Sequence, residues 1–220
     1  IRYKYALSVY NDSMQLIERK SLDFIEGKTF NVDFVAYPDF FYLIYQYQKK
    51  RIVYCMAVKL DALGNVLDKP VTLDTTEIGF LGDNKIYSVI NSENKQFISI
   101  FKLQNKNDKL HFATLLFDNQ LQKISKNNYT LPYVDRRDIY NNFSLDNEGN
   151  IVFTKSSTLG NTEVVGYLQI LSKPLLKDTL VRKEIALDNF YLDDVKLKVD
   201  NANKRYLLNS FYYKQKRGNV

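Results

Sequence analysis

Thiol and imidazole side chains are sparse in this sequence. It holds one cysteine, Cys55, and one histidine, His111, among 220 residues. Cys55 lies in the apolar run Ile52-Val53-Tyr54-Cys55-Met56-Ala57-Val58, which reads as a buried thiol with no reactive role. Cys55 with His111 is the one cysteine–histidine dyad the composition allows. His111, however, falls in the alternating stretch from Lys109 to Leu116 and reads as a strand residue. A lone cysteine excludes an internal disulfide, and with a lone histidine it also excludes a zinc site built of several Cys and His. Asp135-Arg136-Arg137-Asp138 either reads an anion through paired guanidinium donors or satisfies its own charges within a loop. Asp193 and Asp194 adjoin, and neighbours on a regular strand face opposite ways, so they form no acid–base pair. Asp146-Asn147-Glu148-Gly149-Asn150 lacks the alternating acidic ligands and closing bidentate Glu of a calcium loop, and reads as a β-turn. Asn11-Asp12-Ser13, Asn128-Tyr129-Thr130 and Asn142-Phe143-Ser144 match the glycosylation acceptor pattern, as chance allows in an Asn-rich chain. No phosphate loop, nucleophile elbow or dinucleotide fingerprint occurs. From these residues neither a cofactor nor a catalytic role is expected.

The elements that carry these residues are strands. Tyr3, Tyr5, Leu7 and Val9 alternate with polar or small residues, as do Val195, Leu197 and Val199. Asp12 to Lys20 and Thr179 to Leu187 are the best helix candidates, yet both fall where an internal repeat calls for a strand. That repeat is the strongest signal in the chain. A strand, a polar Asp/Asn turn and a second strand recur four times, with turn residues Asp39, Asn91, Asp146 and Asp200 separated by 52, 55 and 54 positions. A second strand–turn–strand element interleaves with it, and its turn residues Asn11, Asp61 and Asp118 stand 50 and 57 apart. Asp and Asn suit such sites because their side chains bond the local backbone and tolerate turn dihedrals.

Each period therefore holds four short strands, A to D, which predicts an all-β, β-propeller-like fold with four-stranded blades repeating every 52–55 residues. The chain opens on a half-blade (residues 1–24), continues through blades at about 32–74, 85–131 and 138–187, and closes on a half-blade (192–220). Four blade equivalents make either a closed four-blade ring, with strands from both ends sharing one sheet, or a fragment of a larger propeller. A sandwich of the same strands is the fold alternative.

With these repeats the chain resembles degenerate β-propeller repeat proteins of the bacterial cell envelope. It lacks the Gly-His and Trp-Asp signature and the kelch double glycine. The resemblance implies an extracytoplasmic location, in the periplasm or at the outer membrane, and a partner protein in an envelope or secretion-type assembly. The chain begins at Ile1 and shows no signal peptide, which suits a processed exported protein and a domain of a larger one equally. No apolar run approaches the roughly 18 residues of a membrane helix, so no transmembrane segment of its own is expected.

In a propeller the B–C tips and D–A crossovers share one face. Three of the four tips are basic: Lys49, Lys50 and Arg51; Lys106 and Lys109; and Lys214, Lys216 and Arg217. The crossovers carry aromatic residues in polar company: Phe24 and Phe30; Phe80; Tyr133 and Tyr140 with Arg136 and Arg137; and Phe190 with Tyr191. A basic rim around aromatic crossovers describes a docking face. The alternative is that the cations solubilise hairpin tips while the aromatics plug seams between blades. The net charge of +6 is too diffuse for a nucleic-acid stripe. The expected function is a non-catalytic protein-interaction module that docks a partner on this face. A carbohydrate-binding or carbohydrate-active propeller is the alternative, since Tyr-rich surfaces stack on sugar rings.

Overall fold

In the computed structural model, residues 4–25, 28–78, 86–160, 162 and 164–214 are described. They form sixteen strands, and no helix occurs among them. In chain order these are β1 (Ala6–Tyr10), β2 (Leu16–Ser21), β3 (Thr29–Ala36), β4 (Phe40–Lys49), β5 (Ile52–Asp61), β6 (Val71–Glu77), β7 (Tyr87–Asn91) and β8 (Phe97–Lys106). They continue as β9 (Lys109–Asp118), β10 (Lys123–Pro132), β11 (Asp138–Leu145), β12 (Ile151–Thr158), β13 (Val165–Lys173), β14 (Val181–Ile185), β15 (Phe190–Asp200) and β16 (Arg205–Lys214).

The strands run as antiparallel meanders. β3-β4-β5-β6 and β7-β8-β9-β10 are four-stranded sheets, and β11-β12-β13-β14 repeats the pattern. The hairpin β15–β16 joins the last sheet only through the single pairing Val165 with Leu192. The chain is thus all-β and propeller-like, with the four-strand period expected from its repeats. β1 and β2 pair only with each other among the described residues. Both helix candidates are strand: β2 occupies the first and β14 the second. Their apolar spacing is overridden by pairing with β1 and with β13.

The chain divides into two compact units, Ile1–Val89 and Ile90–Val220, with the division inside β7. In each, the core lies in the seams between stacked sheets. In the first unit, Leu22 and Ile25 pack with Leu43, Tyr45, Val58 and Leu60, setting the β1–β2 hairpin on the face of β4 and β5. In the second, Phe101, Phe112 and Leu131 meet Leu145, Phe153 and Leu171 across one seam. A further seam holds Val165 and Leu168 against Leu192 and Val195. Each of these fully buried side chains contributes about 2 kcal/mol. A sheet whose strands are buried on both faces must have a neighbour on each, which is why the central strands β4, β5, β8 and β9 read as near-continuous apolar runs.

Candidate ligand-binding cleft

Within the second unit, the end of β7 from Ile90 onward and the equivalent A strands β11 and β15 line one open cleft of about 800 Å³. Their apolar contribution includes Ile90, Phe143, Leu145 and Leu197, while Asn91, Glu93, Lys198 and Asp200 supply polarity. The A–B turns hold these strand ends in register through a repeated side-chain clamp. The Asn94 backbone N–H donates to Asn147 Oδ1 at 2.9 Å. One period later the Asn147 N–H donates to Asn201 Oδ1 at 2.8 Å. Asn201 Nδ2 in turn donates to Glu93 Oε2 at 2.7 Å, so three successive turns are tied to one another.

Charge in the cleft is mostly committed. Glu93 accepts from Asn201. Hydrogen bonds from Asn203, then Arg205, hold the Asp200 carboxyl below the usual carboxylate range. Outside the cleft lining, Tyr206 donates to Asp146 Oδ2 at 2.8 Å, and burial followed by that carboxylate pushes its hydroxyl up to about 12. Asp146 also accepts from the Glu148 and Asn150 backbone at 3.0 and 2.8 Å, so its oxygens close a turn and leave no calcium geometry. Lys198 is the cation of the cleft lining, and it makes no hydrogen bond or ion pair among the described residues.

The expected docking residues fall into separate groups. Lys49, Lys50 and Arg51 form the β4–β5 tip of the first unit, with Lys50 in the left-handed conformation at φ 55°. Arg51 lies 3.7 Å from Glu77 at the surface, and its carbonyl accepts from Ile78 N–H at 2.8 Å. In the second unit Tyr133 N–H donates to Asp108 O at 3.3 Å and Thr158 N–H to Arg137 O at 3.0 Å, so tips and crossovers share an end within that unit. Arg136 pairs loosely with its exposed neighbour Asp135 at 3.9 Å, and Arg137 Nε donates to Thr158 O at 3.4 Å. Tyr133 and Tyr140 pack against the seam, which is the plug role. Tyr191 and Lys214 sit one pair apart at the open end of the β15–β16 hairpin, and the Lys214 ammonium lies 5.7 Å from the Phe190 ring centre. Lys216, Arg217 and Phe80 lie outside the described residues.

The remaining chemistry is structural. Cys55 is fully buried in β5, where burial, then the Asp74 and Asp33 carboxylates, push its thiol well up. His111 is exposed on β9. A register shift between Leu192 and Val195 buries both of those residues and leaves Asp193 and Asp194 exposed together, so the strict alternation expected there does not hold. Among the described residues, no group of three or more His, Cys, Asp or Glu could hold a metal ion. No helix of the described residues is long and apolar enough to cross a membrane. Lys198, Glu93 and Phe143 escaped the sequence reading, although the equal phase of Asn91, Asp146 and Asp200 already marked the ends of the three strands that present them.

No protein-family model matches the chain, and no curated protein matches it. Solved structures do. A mutant apocarotenoid oxygenase of Synechocystis is similar over 93% of this chain and 55% of its own, at 10% identity and a TM-score of 0.46. A chimera of that enzyme with RPE65 is similar over 94% of this chain and 56% of its own, at 12% identity and a TM-score of 0.45. The chain thus spans about half the length of the solved chains it matches. The structures that this chain resembles are an oxygenase and its chimera rather than a non-catalytic docking module, so that expectation, and with it the reading of the chain as no enzyme, is not carried further.

Proposed function

We propose that the chain binds a small organic anion with an apolar body in the cleft formed by β7, β11 and β15. The observation that carries this reading is Lys198, an exposed cation with no hydrogen bond or ion pair among the described residues, lining the same cleft as Phe143, Leu145 and Leu197. A charge-assisted hydrogen bond to a carboxylate or sulfonate is worth about 1.5–3 kcal/mol, and burying the apolar body adds to it. Anilinonaphthalene sulfonate, titrated by its fluorescence, combines both features. Lys198→Gln is expected to weaken its binding about tenfold, the loss of one charge-assisted bond. Equal affinity for the two proteins would overturn the assignment.

Kinship with degenerate envelope propellers and an extracytoplasmic location belong to the same proposal, supported by the loose blade repeat and its Asp/Asn turns. Recovery in the periplasmic or outer-membrane fraction is expected. Recovery in the cytoplasmic fraction alone would contradict it.

A further inference from the structure

Every complete sheet of the chain sets its second strand beside its third: β4 beside β5, β8 beside β9 and β12 beside β13. These strands are paired on both sides, and the second strands are largely buried. Two strands hold the same places without that partner. β16 follows β15 as a second strand and pairs with β15 alone among the described residues. β1 precedes β2 as a third strand and pairs with β2 alone. None of the described residues of either strand is buried. A backbone edge left open in this way is a template for another strand.

The repeat fixes the register in which the two edges fit. The Tyr37 and Ser92 N–H groups donate to the Phe40 and Phe97 carbonyls at 2.8 and 3.0 Å, closing the hairpins that begin β4 and β8. Phe40 and Phe97 then lie opposite Asp61 and Asp118, which open the turn after the third strand. Arg205, paired with Asp200, holds the place of those phenylalanines in β16. Asn11 holds the place of the aspartates, since its side chain accepts the Gln15 N–H as Asp61 accepts that of Asn65. Arg205 opposite Asn11 sets Leu207 beside Val9, Asn209 beside Leu7 and Phe211 beside Tyr5.

Side-chain direction agrees with this register. Tyr206 bonds Asp146, and Leu208 packs on the seam of Val165 and Leu168, so alternation turns Leu207 and Phe211 the other way. They stand 43% and 80% exposed. Tyr5 and Leu7 pack on the seam that holds Leu43 and Tyr45. Leu207 and Phe211 thus fall on the same face as Tyr5 and Leu7, above an apolar seam, whereas a slip of one residue would turn them to the opposite face.

We propose that the edge of β16 takes β1 of a second copy of this chain, whose own β16 takes β1 of the first in return. Each joint completes a four-stranded sheet, and the reciprocal exchange closes on two copies with neither edge left open.

Ala6 falls opposite Ser210 in this register. Ala6→Cys and Ser210→Cys chains, co-expressed and oxidised, should give a disulfide-linked two-chain species, and neither variant alone should do so. Absence of that species would overturn the proposal, and a link formed within single chains of the double variant would show that β16 takes its own β1 instead. Light scattering should give the wild type twice the 25.8 kDa of one chain. Phe211→Asp should raise the dissociation constant of the dimer at least tenfold while leaving the circular-dichroism spectrum unchanged. A wild type that stays monomeric at millimolar concentration, or a dimer equally tight in Phe211→Asp, would also overturn it.

Discussion

Asp138 shows how a single residue's surroundings settle a question that its neighbours in sequence leave open. Its carboxylate is buried, yet accepts from Lys155 Nζ at 2.8 Å, Ser157 Oγ at 2.5 Å and Val134 N–H at 3.1 Å. Burial works against the charge, but the Lys155, Ser157 and Val134 hydrogen bonds outweigh it and hold the carboxyl below its usual range. The loop from Asp135 to Asp138 is therefore satisfied at its buried end and solvated at Arg136. A depressed folded pKa contributes stability above the unfolded value, near pH 4, and that stability is lost as pH falls through the folded value. Asp138→Asn leaves the half-buried Lys155 beside the Tyr140 ring without its anion, and should cost about 3 kcal/mol at pH 7. Urea unfolding across pH should show the gap between the two proteins closing below pH 4. A gap that persists unchanged at pH 2 would refute the ion-pair account.

At the scale of the element, one hairpin turn is built again and again. Asn11, Asp61, Asp118 and Asp146 each accept the backbone N–H of the residue four positions on, at 2.8 Å in every case. The fourth residue of each turn has positive φ: Met14 at 59°, Gly64 at 82°, Leu121 at 60° and Gly149 at 81°. Glycine adopts this region freely, whereas other residues pay about 1–2 kcal/mol. Met14 is 82% exposed, so its side chain offers little in return. Met14→Gly should stabilise the protein by about 0.5–1 kcal/mol, the left-handed strain less the extra chain entropy of glycine. Gly64→Ala should do the reverse, since a Cβ there would sit 2.5 Å from Leu7 Cδ2 in addition to the strained φ. Thermal melts of the two variants check the opposite signs, and shifts of the same sign would remove this reading of the turn. The turns were legible in the sequence because Asp and Asn act locally. The side chain of Gln46 was not: it accepts from Tyr87 N–H at 2.8 Å and donates to Tyr87 O at 2.7 Å, serving as a strand partner for a residue 41 positions away. Periodicity carries no trace of a polar group recruited over that span.

Across the whole molecule, burial rises from outer strands to central ones, and stability should follow. β9 is buried along most of its length, whereas β14 is exposed at four of its five residues and pairs only with β13. Native-state hydrogen exchange should therefore protect β9 and β12 most and β14 with β1–β2 least. Uniform protection would show that the seams, rather than single strands, are the cooperative units. The strand count and blade period could be read from sequence because each blade repeats its own pattern. The cleft could not, since it gathers residues from different repeats, Glu93 with Lys198 among them. The clamp of Asn147 on Asn94, and of Asn201 on Asn147, has a direction, each turn being held by its successor. A tandem duplication of one period would import both the asparagine that grips the turn before it and the N–H that awaits the turn after. Growth of such an array by copying then needs no new joint to be invented, and a lineage can lengthen or shorten it by whole blades while every surviving joint keeps its old geometry.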